Sequence, residues 1–486
     1  MLGKYYLGTC IQIRMTLIIG GGIGGLSAAH YLIKAGKKNI VLLEATSRVG
    51  GWIQSIQDPK TGILFEKGPR TLRIKGNVGS NTLSLIEELG LENKVKPITM
   101  DHPSAKNRLI FVNNKLHFLP SSFSALFKKT PPFSRRLVNG VWKDLTSPPK
   151  KSDDDTVYSF VERRFGSEFA DYLISPMICG ICAGDSKEIS VKFLMPGLFQ
   201  AEQKHGSVVK GFLTDMMQKG KHENDKSEAL SKLSGKAKNE KWSVFGMDGG
   251  MSLLPEKIKE GIINNGVDVR YKSEVTSLSI KPDHVRCCIN GKDFIESDYA
   301  ISALPAYNLA QLLKDEHSIL SDELSKIPYV NVAVVNLAFQ GKVLDKEAFG
   351  FLVPPSQGLP ILGVIFDSCN FPQGEHTVLT VMMGGKWFNK YFGDNPTEKR
   401  LYTIAVGHCR DILGITENPV SHHTEVLKNC IPQYVVGHHN RVDRIFSYIE
   451  DKKLPLALAG SSYSGIGIHD VILSGKRAAE SVLNKK

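Results

Sequence analysis

No stretch of this chain reaches the roughly 18 to 20 uninterrupted apolar residues that a membrane-crossing helix needs, because Arg14, Asn331, Asn336 and recurrent glycines break the candidates. A spanning protein is therefore not expected. Cysteine is sparse, eight in 486 residues without regular spacing, which excludes a disulfide scaffold and points to reduced thiols. No leader with a long apolar region opens the sequence. The first 14 residues hold Lys4 and Arg14 but neither acid nor serine, and read as an overhang ahead of Met15 rather than an import segment. Nowhere do aromatics interleave with bases as on a nucleic-acid platform, so DNA and RNA are not expected partners. What is present is ordinary globular material, 42% hydrophobic and 23% charged, enough to bury a large core in two or three lobes. The formal charge of +12 fits nucleic acid, an anionic membrane surface or an acidic small molecule, so its location has to decide.

Thr16-Leu-Ile-Ile19 is a short apolar run, followed by Gly20-Gly21-Gly22-Ile23-Gly24-Gly25 and then Leu26, Ala29, Leu32 and Ile33 at helical spacing. Strand, tight turn and helix follow one another. Gly20, Gly22 and Gly25 fall on GxGxxG: the first permits the turn, the second lets the backbone approach a pyrophosphate, and the third lets the helix pack on the strand. The helix N-terminus then faces the diphosphate. Such a motif also arises by chance in a glycine-rich chain, so its context carries the argument. A second run, Asn39-Ile-Val-Leu-Leu43, ends in Glu44, about where the fold places an acid for ribose hydroxyls.

Directly after Glu44 come Ala45, Arg48, Gly50, Gly51 and Trp52. This E-A-x-x-R-x-G-G run resembles the second signature of the amine-oxidase-like flavoprotein superfamily, and the resemblance implies non-covalent FAD rather than NAD. Arg48 suits neutralisation of phosphate, and the paired glycines let the backbone pass beside a cofactor. Further on, Leu456 to Gly460 reads as a strand, Ser461 to Ile468 as a glycine turn, and Asp470 to Leu483 as a helix. The resemblance implies that this helix aims its dipole at the isoalloxazine ring, with Ser461, Ile466, Gly467 and Ile468 at the cofactor. Val267-Asp-Val-Arg270 and Ser273-Glu-Val275 read as a strand pair with the Val275 backbone beside adenine, and Ala300 to Ala306 as the strand that returns to this domain. No second GxGxxG follows a strand, which argues for an oxidase reoxidised by oxygen or a quinone rather than a nicotinamide-linked reductase.

Six further segments, in order, resemble mitochondrial-type protoporphyrinogen oxidases: Phe65-Glu-Lys-Gly-Pro-Arg70, His102-Pro103 with Asn107-Arg108, Phe199-Gln-Ala-Glu-Gln203, Phe349-Gly-Phe-Leu-Val-Pro354, Asn429-Cys-Ile-Pro-Gln-Tyr434 with Gly437-His438, and Gly460-Ser-Ser-Tyr463. The resemblance spans about Thr16 to Leu483. It implies that Gly68, Pro69, Arg70 and Thr71 join the FAD shell, and that a porphyrinogen loses six electrons over three flavin cycles, with oxygen as acceptor and hydrogen peroxide released. Flavin N5 accepts hydride, so no catalytic side-chain triad and no metal are expected. Arg108 becomes the anchor of a substrate propionate. Phe349, Leu352 and Met382 line the macrocycle pocket, although apolar residues at strand spacing also serve as ordinary core. Gly180 approaches a pyrrole ring. Cys179-Gly-Ile-Cys182 is a C-x-x-C without a second ligand pair, and the vertebrate-type pattern has arginine where Cys179 stands. Both thiols read as buried hydrophobes.

Between Arg108 and Phe199 the residues Phe118, Leu119, Phe123, Leu126, Phe127, Phe133, Leu137, Val141 and Trp142 alternate with Lys128, Lys129, Arg135, Arg136 and Lys143. This basic, aromatic pattern fits a membrane interface or a helical lobe with a charged outer face. The resemblance tips it to the former and implies a peripheral enzyme of the mitochondrial inner membrane, with ferrochelatase and a second copy as candidate partners. Lys219 to Lys241 reads as an exposed connection whose charge is merely solvated. The expected fold is α/β: a Rossmann-like FAD-binding domain from residues 15–95, 242–308 and 441–486, a mixed-sheet substrate domain from 96–110 and 309–440, a helical membrane-binding insert over 111–210, and a mobile connection over 211–241. Two other readings share this fold. An amine or carotenoid oxidase lacks support because no aromatic-cage pattern precedes the closing helix, and a non-enzymatic binder of prenylated GTPases is opposed by the intact Glu44 to Trp52 run.

Overall fold

Five short strands, rich in Val, Ile, Leu and Ala, pair in parallel at the centre of the first lobe. A computed structural model describes residues 15–74, 76–219 and 231–484; the expected overhang and the middle of the lysine-rich connection lie outside them. The strands lie in the order Asp268–Arg270, Ile40–Leu43, Thr16–Ile19, Tyr299–Ser302 and Leu456–Leu458. That is the doubly wound arrangement, whose ligand crevice opens at the carboxyl ends of the strands where the order reverses. Helices Ile23–Lys34, Leu253–Asn264 and Ile468–Asn484 cover one face. Helices Ala306–Leu313, Ser318–Ser325 and His438–Asp451 cover the other, with a three-stranded meander. Burial on both faces explains why Thr16–Ile19, Ile40–Leu43 and Leu456–Leu458 show no polar alternation, whereas the edge strand Asp268–Arg270 exposes both charged residues.

Asp268–Arg270 and the strand starting at Val275 do not pair as expected. The first joins Ile40–Leu43, and Val275–Ile280 opens the separate meander with Val285–Ile289 and Asp293–Ser297. The chain leaves the parallel sheet at Lys272, whose φ is 49°, while Lys272 and Ser273 donate their N–H groups to the carbonyls of Thr46 and Glu44.

The second lobe is a mixed sheet of seven strands, ordered Ser421–Pro432, Tyr329–Gln340, His376–Gly385, Ile361–Phe366, Gly350–Leu352, Leu109–Val112 and Lys115–Phe118. Helix Glu398–Leu413 closes its core. The last two strands form a hairpin through Asn113 and Asn114, at φ 52° and 59°, an Asn-Asn turn suited to left-handed backbone. The expected helical insert therefore begins as sheet.

The helical lobe follows, from Val138–Thr146 to Val208–Lys219, around Val157, Phe160, Ile178 and Phe199. Its buried Arg164 donates to Asp144 Oδ1 at 2.5 Å and to the carbonyls of Ser147, Pro148 and Gly206, with Glu202 at 3.4 Å. Phe133 and Leu137, expected among the interfacial residues, are buried. Phe118, Phe127 and Trp142 are exposed, as are Phe212, Leu213, Met216 and Met217 on the helix Val208–Lys219. Among the described residues no helix is long and apolar enough to cross a membrane. The 211–241 segment is not simply a connection. Residues 220–230 lie outside the description, but Lys232–Asn239 is a helix with Leu233 and Ala237 buried in the core of the first lobe. Its lysines mask an apolar stripe at i, i+4 spacing.

Candidate functional site

The glycine loop after Thr16–Ile19 is built for close contacts. Gly20 sits at φ 105°, and a side chain on Gly25 would place Cβ 2.0 Å from the Gly20 carbonyl oxygen. Gly22 caps helix Ile23–Lys34 with extended backbone, no side chain caps its first N–H groups, and no acid stands in its first turn. A Cβ on Gly22 would meet only Gly51 Cα, at 3.9 Å. An uncapped helix N-terminus with open space before it suits a diphosphate.

Glu44 lies at the carboxyl end of the neighbouring strand. Its Oε2 accepts the Gly21 N–H at 2.8 Å, and its Oε1 accepts the Thr46 N–H and hydroxyl, both at 2.8 Å. The carboxylate is thus fixed beside the glycine loop, with lone pairs left for ribose hydroxyls. Gly50, at φ 103°, donates its N–H to the Gly21 carbonyl at 2.9 Å, so the two glycine loops run side by side. Ser273 N–H binds the Glu44 carbonyl two residues before Val275, which brings Val275 to the Glu44 end of the groove.

The closing loop completes the groove. Helices Ile23–Lys34 and Ile468–Asn484 cross where a Cβ on Gly475 would fall 2.5 Å from the Gly24 carbonyl oxygen, and Gly24 itself abuts Gly460. Gly467 donates its N–H to Asp470 Oδ2 at 3.2 Å, and Ile466 packs onto the helical-lobe cluster that includes Ile178 and Cys182. Gly467 and Ile468 therefore stand at a second helix N-terminus beside the first, and Ser461 opens the loop that leads to it. These groups fit FAD on the grounds of this geometry: an open uncapped helix end, a fixed acid and two glycine loops.

Two expected cofactor residues are otherwise engaged. The Arg48 guanidinium donates to the carbonyls of Val49, Gly51 and Ile53, at 3.1, 2.7 and 3.3 Å, and so shapes the loop. Arg70 is buried and donates to Asp367 Oδ1 at 2.9 Å and to the Gly68 carbonyl at 3.3 Å. Thr380 donates to the other Asp367 oxygen at 2.6 Å, so Arg70 ties the first lobe to the seven-stranded sheet. The Gly68-Pro69-Arg70-Thr71 segment passes so close to Trp52 that a Cβ on Gly68 would lie 2.1 Å from its carbonyl oxygen, while the Trp52 side chain stays exposed.

A second layer of residues, unassigned in the sequence, holds the closing loop. Tyr434 donates its hydroxyl to the Ser461 carbonyl, Tyr329 and Ser462 hydroxyls lie 2.7 Å apart, and His438 Nε2 lies 3.3 Å from the Tyr463 carbonyl. The motif Asn429 to His438 was visible in the sequence, but its contact with residues 461–463 depends on the fold. Burial pushes the Tyr434 hydroxyl far above its ordinary range and keeps it a donor. Burial likewise lowers the His438 pKa to about 4. A neutral ring with its proton on Nε2 then donates to Tyr463. Because the unfolded chain takes up that proton near pH 6.5, the contribution is present above that pH and lost as pH falls toward 4, on the order of 3 kcal/mol in total. The stability advantage of the parent over His438→Gln is expected to shrink across this window, as followed by thermal melts at pH 7.5, 6 and 4.5. A gap independent of pH would refute the assignment.

All five expected substrate residues meet at one cavity. It measures about 1040 Å³ and is lined by Arg108, Gly180, Phe349, Leu352 and Met382, among others from all three lobes. Its size is at the upper end of the range for ligand sites. The Arg108 guanidinium lies 5.2 Å from the Phe349 ring centre, and Phe349 N–H bonds to the Asn107 carbonyl at 3.1 Å, so the two motifs are stitched together. Desolvation, then the charge of Arg73, lowers the Arg108 pKa. Gly180 has a nearer steric partner than a ligand: a Cβ there would fall 2.8 Å from Leu352 Cδ2. Cys179 lines the cavity, Cys182 sits in the core of the helical lobe, and both are buried free thiols. Burial pushes Cys182 up to about 12 and Cys179 upward as well, which disfavours the reactive thiolate. The sequence reading missed three more cations at the wall, Arg73, Lys238 and Lys241.

Comparison with known proteins follows the same lines. The model of the flavin-containing amine oxidoreductase family matches residues 23–483. The chain is 39% identical to a protoporphyrinogen oxidase of Bos taurus and 38% identical to one of Homo sapiens, each over 97% of this chain and 98% of the relative. It also superposes on the crystal structure of a candidate protoporphyrinogen oxidase from Exiguobacterium with a TM-score of 0.79, at 22% identity and covering 97% of this chain and 99% of that one.

Proposed function

The chain belongs to the protoporphyrinogen oxidases within the flavin-containing amine oxidoreductase family, and from that premise we propose how its residues serve the reaction. It is an oxidoreductase that converts protoporphyrinogen IX to protoporphyrin IX in haem biosynthesis. The flavin is FAD and oxygen is the terminal acceptor. The observation that carries the substrate reading is a cavity of macrocycle size whose charged lining, among the described residues, is all cations: Arg73, Arg108, Lys238 and Lys241.

Bound FAD supplies the two-electron acceptor for each of three successive oxidations. The protein's part is placement. Gly22 and the uncapped end of helix Ile23–Lys34 receive the diphosphate, Glu44 the ribose, and the closing loop at Ser461 to Ile468 the ring system. Phe349, Leu352 and Met382 give the macrocycle an apolar bed and exclude water, while Arg108 holds a propionate and fixes orientation. Exposed Phe212, Leu213, Met216 and Met217 on Val208–Lys219, with Trp142 on the packed helix Val138–Thr146, support a helical lobe that rests on a lipid surface.

Anaerobic mixing of the purified yellow protein with protoporphyrinogen tests the reading. Bleaching of the flavin band, followed on admission of air by its recovery and by porphyrin fluorescence, is the expected result; a flavin that stays oxidised would send the function to another substrate. Arg108→Ala is expected to raise KM roughly 10- to 100-fold, the worth of a charge-assisted hydrogen bond, with flavin content unchanged. Loss of flavin in that variant would show that Arg108 supports the cofactor instead.

A further inference from the structure

Among the described residues four cations line the cavity and no aspartate or glutamate does. They come from separate elements. Arg108 precedes the strand Leu109–Val112, in the wall that also carries Phe349. Lys238 belongs to helix Lys232–Asn239, and Lys241 to the turn that follows, at φ 53°. Ser234, Ala237 and Lys238 face the cavity from one side of the helix, at i, i+3, i+4 spacing, and Lys241 faces it from the turn. Arg73 connects the two groups: its strand pairs with Trp242–Met247 in the register Arg73 to Val244, and its charge is felt by Arg108.

Among the described residues no acid forms an ion pair with any of the four. The nearest in sequence, Glu240, accepts the Trp242 indole N–H at 2.7 Å, and the Met100 N–H fixes the Lys241 carbonyl at 2.9 Å. Cations gathered on a concave wall without counter-ions raise the local concentration of anions. One propionate at Arg108 leaves most of this charge unanswered.

We infer that Lys238 and Lys241, with Arg73, form a second carboxylate-recognition station, which binds a carboxylate of the macrocycle other than the one held by Arg108. The inference rests on the porphyrinogen reading and deepens it: the substrate class is a macrocyclic dianion gripped at two points. Two-point attachment fixes the rotation of a nearly four-fold ring in its own plane, which a single anchor does not.

The test uses FAD-loaded Lys238→Gln/Lys241→Gln, with Lys236→Gln as a control on the same helix whose residue does not line the cavity. Two substrates are compared, the dicarboxylate porphyrinogen and its dimethyl ester, together with equilibrium binding of the dicarboxylate porphyrin by fluorescence. The double variant is expected to show a roughly three- to tenfold rise in KM and in porphyrin Kd for the dicarboxylate, the range for two exposed charge contacts taken together. Its constants for the diester, its flavin content and its Tm should stay at parent values, and the parent's preference for diacid over diester should fall with added salt. Unchanged dicarboxylate constants, or equal losses for both substrates, would overturn the inference while leaving the function intact. A parent that binds the porphyrin in a Lys238- and Lys241-dependent way but never oxidises the porphyrinogen would instead overturn the function and uphold the station. A parent that neither binds nor turns over sinks both.

Discussion

Gly22→Val is expected to yield a folded, colourless protein. The position is extended rather than left-handed, at φ −67° and ψ 173°, so any residue can adopt it. A Cβ there finds open space, with only Gly51 Cα at 3.9 Å. The valine would therefore fold in place, but its methyl groups would occupy the ground before the uncapped N–H groups that receive the diphosphate. Gly25→Val makes the contrast, because its Cβ would collide with the Gly20 carbonyl at 2.0 Å and the lobe itself should fail. The measurement is flavin absorbance per mole of protein beside far-UV circular dichroism and a thermal melt. A Gly22→Val protein that carries stoichiometric flavin would refute the placement of the diphosphate.

Arg164→Met is expected to cost about 3–5 kcal/mol, the penalty for leaving the buried Asp144 carboxylate without its cation, while Glu202 keeps Arg163. Arg164, Asp144 and Glu202 are all essentially inaccessible to solvent. Asp144 also accepts from the Ser207 hydroxyl at 2.5 Å and from the N–H groups of Val208 and Val209 at 3.3 and 2.8 Å, and so caps the helix that bears Phe212 and Met216. The damage should stay in the helical lobe, because the parallel sheet has its own core. Hydrogen exchange should speed up in residues 208–217 while flavin stays bound. Protection unchanged in that helix would show that the buried network contributes nothing to the lobe.

What the sequence discloses of this site is what lies close together along the chain. The turn at Gly20 to Gly25 and the acid at Glu44 are local constraints of backbone and spacing, and they read directly. The ion pair of Arg70 was not legible because its partner is far away: Asp367 lies 297 residues along the chain. Lys238 and Lys241 looked like solvated charge, since only the pairing of Leu72–Arg73 with Trp242–Met247 turns that helix face toward the cavity. Phe212 and Met216 were hidden by lysine-rich flanks, where average composition outweighed a short stripe. The strand at Val275 was misplaced because one left-handed residue, Lys272, decides which sheet it enters. The family-like motif at Tyr434 and His438 was recognisable, but its job of holding residues 461–463 is a three-dimensional fact.

The parallel sheet joins segments that the ribosome delivers at very different times. The Met15 N–H already bonds to Asp298, 283 residues later, and the helix after the glycine loop packs on Ile468–Asn484. At ~5–20 residues per second, roughly 20 to 90 seconds separate the emergence of those two helices. During that interval the face of the first helix at Gly24, Ser27 and Ala28, which meets Gly475 in the finished fold, lacks that partner. The nascent chain thus carries a half-built nucleotide cradle through most of its synthesis, and cofactor loading is necessarily a late event in the life of each molecule.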